Sequence, residues 1–147
     1  MTKDTTELVQ ELERAKTTTE FHEFLKRNDV KMSKASFGDR VIVLCAKYET
    51  TASALQLKIA ISRSQFYSLL NGTRKPSKES VIKIAVGLKL TQDETNILLQ
   101  TAGYQSLNPK NKEDAILIFG LDNKKEAGKI DELLREYNSK INLLDKE

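Results

Sequence analysis

The sequence predicts an all-α fold, and three observations carry that prediction. Only two prolines occur in 147 residues, Pro76 and Pro109, and both fall between helical patterns. Apolar residues recur at spacings of three and four, with no sustained strand-like alternation. Ser, Thr or Asn stands ahead of most of these periodic stretches, where its side-chain oxygen can cap a helix.

The elements follow in order. Leu8, Val9 and Leu12 give a short apolar stripe on a helix over Thr5 to Lys16. Thr19 precedes a second stripe, Phe21, Phe24 and Leu25, ending near Asn28. Helices this short are marginal in water, so they must dock on the domain or on a partner. Asp29 to Ala35 reads as a connector. Ser36 and Asp39 make a capping pair for a helix through Tyr48, with Val41, Leu44 and Cys45 inward and Ile42 alongside. Thr51 or Ser53 caps the next, which carries Leu55 and Ile59. Ser62 and Gln65 form an S-x-x-Q capping box ahead of the inward face Phe66, Leu69 and Leu70, and Gly72 suits a left-handed stop.

Ser77 caps a helix with Val81, Ile82, Ile84, Ala85 and Leu88 as core. Thr91 and Glu94 make a capping box for another, with Ile97, Leu98 and Ala102 inward and Gly103 as its stop. Asn108-Pro109 opens a helix with the apolar run Ala115 to Phe119. The last helix carries Ile130, Leu133, Leu134 and Tyr137, its stripe continuing through Ile141 and Leu144, with a tail from Asn138 free to fray.

Composition narrows the function. No apolar run approaches the ~20 residues needed to span a bilayer, and the polar start MTKDTTELVQELERAK is unlike a secretory signal, so a cytoplasmic protein is expected. The one cysteine, Cys45, lies in an apolar run and reads as a buried thiol. The one histidine, His22, has no partner ligands for a metal. With no Gly-rich phosphate loop, no Gly-x-Ser-x-Gly and no Cys-x-x-Cys, the chain is expected to be no enzyme and to hold no cofactor or metal.

Charge is concentrated. Residues 51–90 hold seven Lys or Arg against one acid, Glu79, for a net +6. Residues 1–50 balance nine against nine, and 91–147 carry eight bases against eleven acids, net −3. A localised basic patch is what phosphate contact requires, although a Lys-rich solvated face has the same composition.

That basic segment has the layout of a helix-turn-helix. Two short helical patterns are joined by Ala60-Ile61-Ser62, and a basic turn, Thr73-Arg74-Lys75-Pro76, separates the second from a helix opening at Ser77. Base readers lie near the start of the second helix, here Arg63, Ser64 and Gln65, with Tyr67 and Ser68 one turn on. Arg63 suits guanine O6 and N7, and Gln65 suits adenine unless its side chain is taken by capping. Arg74, Lys75 and Lys78 suit phosphate, as does the helix start at Ser77.

Residues Phe37 to Gln100 resemble the helix-turn-helix domain of the XRE (lambda-repressor-like, Cro/C1-type) family. The resemblance rests on Leu55, Ile61-Ser62, Asn71-Gly72, Lys75-Pro76-Ser77 and the Ile84-Ala85 helix. It implies a lambda-repressor-like core and places Asn71 among the contacts to the DNA backbone. Three positions depart from the pattern: Gln56 replaces a small residue, Ala60 the turn glycine, and Leu70 an acid that in repressors pairs with a base on the first helix. Here that region offers Cys45, so an apolar contact is expected in place of an ion pair.

The run from Arg74 to Asn123 also resembles a bacterial subgroup with a helical N-terminal arm and extra C-terminal helices, often encoded near a serine/threonine protein kinase. On this basis residues 1–35 form the arm, 36–104 the helix-turn-helix domain and 105–147 the C-terminal helices. The expected function is a sequence-specific DNA-binding transcriptional regulator, a repressor, pairing as a homodimer on double-stranded DNA. The alternative is a protein-interaction or regulatory module on the same scaffold, with a protein kinase as a natural partner.

Overall fold

Every helix from α3 to α8 begins where the sequence supplies an oxygen for its first amides. The computed structural model describes residues 5–24 and 36–146. They form α1 (Thr5–Arg14), α2 (residues 18–24), α3 (Phe37–Lys47), α4 (Ala52–Lys58), α5 (Arg63–Asn71), α6 (Lys78–Leu88), α7 (Gln92–Thr101), α8 (Lys112–Asp122) and α9 (Ala127–Glu136), with no strand among the described residues. Ser36 and Thr91 make complete capping boxes with Asp39 and Glu94. Thr51, Ser62, Ser77 and Asn111 each accept from the backbone amide three residues on. Such caps contribute ~1 kcal/mol apiece. The Leu8 side chain and the stretch containing Leu25, Asn28 and the expected connector Asp29 to Ala35 lie outside the described residues.

α6 is the centre of the molecule. Val81, Ile82, Ile84, Ala85, Val86 and Leu88 are all buried, and even its lysine, Lys83, is 2% exposed. A helix apolar on all sides must be enclosed by others. α4, α7 and α9 pack against it, and one core runs from Phe37 to Leu143, so the residues on both sides of position 104 share it. The arm docks on α3, where Leu12 and Phe24 cover Val43, with Phe21 and Ala46 beside them.

Tertiary packing changes several local expectations. On α7 the inward residues are Leu98, Leu99 and Ala102, while Ile97 is 46% exposed. Thr95, Leu98, Leu99 and Ala102 share the i, i+3, i+4, i+7 face that α6 covers, and Ile97 falls outside it. Asn108-Pro109 does not open α8. Asn108 makes a turn with Lys110, and Asn111 is the cap. Within the run from Ala115 to Phe119 only Leu117 is fully buried, and Phe119 faces out.

The tail folds back onto the core, and it does not extend the stripe of α9. Asn138 adopts φ +57 and reverses the chain, which buries Ile141 and Leu143 and leaves Tyr137 and Leu144 exposed. The Leu143 amide donates to Asp131 Oδ1 at 3.0 Å, and the Asn142 amide to Glu79 Oε2 at 3.1 Å. Cys45 is buried, and burial pushes its thiol up to about 11. It shares the core with the half-buried Leu70.

Two glycines separate packing from backbone strain. Gly38, in the first turn of α3, lies so close to α5 that a Cβ there would stand 1.9 Å from the Leu70 carbonyl oxygen. Gly72 ends α5 at φ +85 with open space around it. Gly38→Ala should therefore destabilise by about 3 kcal/mol, at the upper end of overpacking costs, and Gly72→Ala by only about 1 kcal/mol of left-handed strain. Urea titration of both variants checks the order.

A polar clasp joins α3 to α7. Glu94 accepts from both the Lys47 ammonium and the Tyr48 hydroxyl. Burial works against the Glu94 carboxylate, but hydrogen bonds from Lys47, Tyr48 and the Thr91 amide outweigh it and hold its pKa below the usual 4.5. Burial, and then Glu94 itself, push Tyr48 up. A depressed carboxylate adds stability above its ordinary pKa, and that stability is lost as pH falls through the folded value. Glu94→Gln should be the less stable protein at neutral pH, with the gap to wild type closing below pH 4.5. Urea midpoints measured across that range check it.

Candidate nucleic-acid interface

α4 and α5 are joined by Ile59 to Ser62, and buried side chains fix how the second helix presents itself. Leu55, Ile59 and Ile61 are buried on the approach, and Phe66 and Leu69 anchor the inner face of α5. The opposite face is consequently solvent-facing: Arg63, Ser64, Tyr67 and Asn71 are exposed, with Gln65 and Ser68 half-buried at its flanks. The Gln65 amide donates to Ser62 Oγ at 3.3 Å, which closes the first turn. The Arg63 guanidinium lies 6.0 Å from the Tyr67 ring centroid, and Tyr67 stands edge-on to Phe66. A cation and an aromatic hydroxyl are thus presented together on the first two turns. Ser68 Oγ donates back to the Ser64 carbonyl at 3.0 Å.

The end of α5 folds into the basic turn. Asn71 Oδ1 accepts from the Thr73 amide at 3.0 Å and the Thr73 hydroxyl at 2.8 Å, and the Arg74 amide donates to the Ser68 carbonyl. Arg74 and Lys75 are exposed beyond it. The Lys75 ammonium sits 5.6 Å from the centre of the Tyr104 ring, whose hydroxyl donates to the Pro76 carbonyl at 2.9 Å. Lys78 is differently placed. Its ammonium is 2.8 Å from Asp114 Oδ1, a buried carboxylate that also accepts from the Asn108 amide. Of the four residues expected at phosphates, Asn71, Arg74 and Lys75 lie together on the exposed turn, while Lys78 ties α6 to α8.

The turn between α4 and α5 is held by two side chains that the chemistry of the outer face did not single out. Gln56 Nε2 donates to the Ile61 carbonyl at 3.1 Å. The Lys83 ammonium donates to the Ala60 carbonyl at 2.9 Å and to the Asp145 carbonyl at 2.7 Å, with Glu79 Oε1 at 3.4 Å. The only acid of the basic segment therefore faces the tail. A lysine in the middle of Val81-Ile82-Lys83-Ile84-Ala85 was the available sequence signal for this bond, since a helix apolar on both sides of a cation must bury it. Tyr104 gave no such signal.

In comparisons with known proteins, no family model, no curated protein sequence and no solved structure matches this chain. Among the described residues no group of three or more His, Cys, Asp or Glu is arranged to hold a metal ion, and no helix is long and apolar enough to cross a membrane.

Lys83→Met preserves side-chain bulk and removes the ammonium. The Ala60 and Asp145 carbonyls lose the Lys83 ammonium as donor, and the variant should be about 1–2 kcal/mol less stable. Amide exchange at residues 60–63 and 142–145 should rise together, and exchange-detected NMR reads it.

Proposed function

We propose that the chain is a sequence-specific DNA-binding regulator, a helix-turn-helix protein of XRE type that acts as a repressor, with α5 as its recognition helix. The observation that carries this reading is the pairing of two exposed surfaces: the polar outer face of α5 and the Arg74–Lys75 turn that continues from it. Arg63, Ser64, Gln65, Tyr67 and Ser68 are assigned to bases, with Arg63 the bidentate reader of guanine. Asn71, Arg74 and Lys75 are assigned to phosphates, which set register and carry no sequence information. Lys78, paired with Asp114, supports the turn and is left with a smaller share of phosphate binding. A single such unit reads few bases, so a homodimer on a two-fold site is part of the proposal.

One feature favours the second reading, a protein-interaction module with a kinase among its candidate partners. Phe119 and Tyr137 are exposed on an apolar cleft between α8 and α9, floored by Ala115, Ile116 and Leu133.

Salt dependence and sequence selection separate the readings. Arg74→Ala combined with Lys75→Ala should weaken binding alike on all sequences and reduce the log–log salt slope by about 2, at ~0.9 per phosphate contact. Arg63→Ala should relax selection at one or two base positions at a cost of ~1–3 kcal/mol. The measurement is binding-site selection from random DNA at fixed salt, followed by a salt titration on the selected site. Selection of no motif by wild type, with no steep salt dependence, would transfer the proposal to the interaction module.

A further inference from the structure

We propose that the cleft behind the α4–α5 turn is a binding site for a small organic anion, an apolar body carrying one carboxylate-like head. The cleft encloses about 490 Å³, within the ~300–1,000 Å³ of small-molecule sites. Its walls come from the end of α4, the turn, α6, the start of α9 and the folded-back tail. Its floor is apolar, from Ile59, Val86 and Leu143. Two large apolar side chains stand at its margin with much of their surface in water: Leu57 is 81% exposed and Leu144 is 55% exposed. An apolar occupant would cover surface that the fold leaves wet.

The charge in the cleft selects the head group. Lys58, Lys83 and Lys146 line it with a single acid, Glu126. Glu126 is already matched by Lys89 at 2.6 Å, and the Lys83 ammonium is held by Ala60, Asp145 and Glu79. Lys58 also acts electrostatically on Glu126, and neither it nor Lys146 forms a salt bridge among the described residues, so three lysines line the cleft against one acid. The first turn of α9, which opens here at Glu126 and Ala127, also lacks a side-chain cap. A surplus of cations over an apolar floor suits an amphipathic anion better than a neutral lipid or a bare inorganic ion.

An occupant touching Ile59 and Ala60 would bear on the turn that sets α5 against α4. Its use as an effector of DNA binding rests on the reading above; its binding does not. The test uses the full chain, methyl-labelled, titrated in the absence of DNA with octanoate, 1-octanol and acetate. Octanoate should shift the Ile59, Val86 and Leu143 methyls saturably, acetate should shift none of them, and 1-octanol should bind more weakly. Lys58→Gln with Lys146→Gln, both at exposed positions, should weaken octanoate about fivefold and leave 1-octanol unchanged. The proposal is overturned if octanoate leaves those methyls unmoved, if it shifts Ile116 and Leu133 of the α8–α9 cleft equally, or if the double variant binds it as tightly as wild type. Because no DNA is present, this failure is distinct from failure of the base-reading assignment.

Discussion

The fold turns on a cation held where cations are normally excluded. Lys83 lies in the middle of the most buried helix, and its ammonium bridges the Ala60 carbonyl in one direction and the Asp145 carbonyl in the other. A buried ammonium is tolerable only when its donors are satisfied, so the turn and the tail are both required to stay in place. One side chain thereby links the segment that orients α5 to the last residues of the described chain. The tail completes a cation's coordination as well as burying Ile141 and Leu143.

A second constraint sets how closely α5 approaches the body of the protein. At Gly38 the backbones of α3 and α5 meet with no room for a side chain. Leu70, whose carbonyl makes that contact, turns its side chain into the same core as Cys45. An apolar contact needs no partner of opposite charge and leaves no group unsatisfied if it loosens. Close backbone approach and apolar packing together fix which face of α5 is turned to water.

The basic residues of the central segment have separated into distinct roles. Lys83 is internal, Lys78 joins the buried Asp114, and Lys89 pairs with Glu126. Arg63, Arg74 and Lys75 remain on the solvent side of α5 and its following turn, and Lys58 lies over the cleft behind it. A net charge of +6 over residues 51–90 thus overstates the charge available to any one partner. Where each cation points decides what it can meet, and sequence spacing alone does not specify that for side chains bonding across 30 or more residues.

The sequence by itself determined the helical class, the caps at Ser36, Ser62, Ser77 and Thr91 that local chemistry dictates, the stop at Gly72 and the inner face of α5. These depend on interactions within about four residues, where backbone geometry leaves few choices. The start of α8 lies outside that set: both Asn108 and Asn111 can cap, and only the packing of α8 chose Asn111. The tertiary structure alone decided that Ile97 faces out, that Val43 is covered by the arm, and that Lys78 meets Asp114. It alone returned the tail across α6. Each of these joins residues far apart in the chain, and their partners are chosen by which surfaces remain to be buried once the helices have formed.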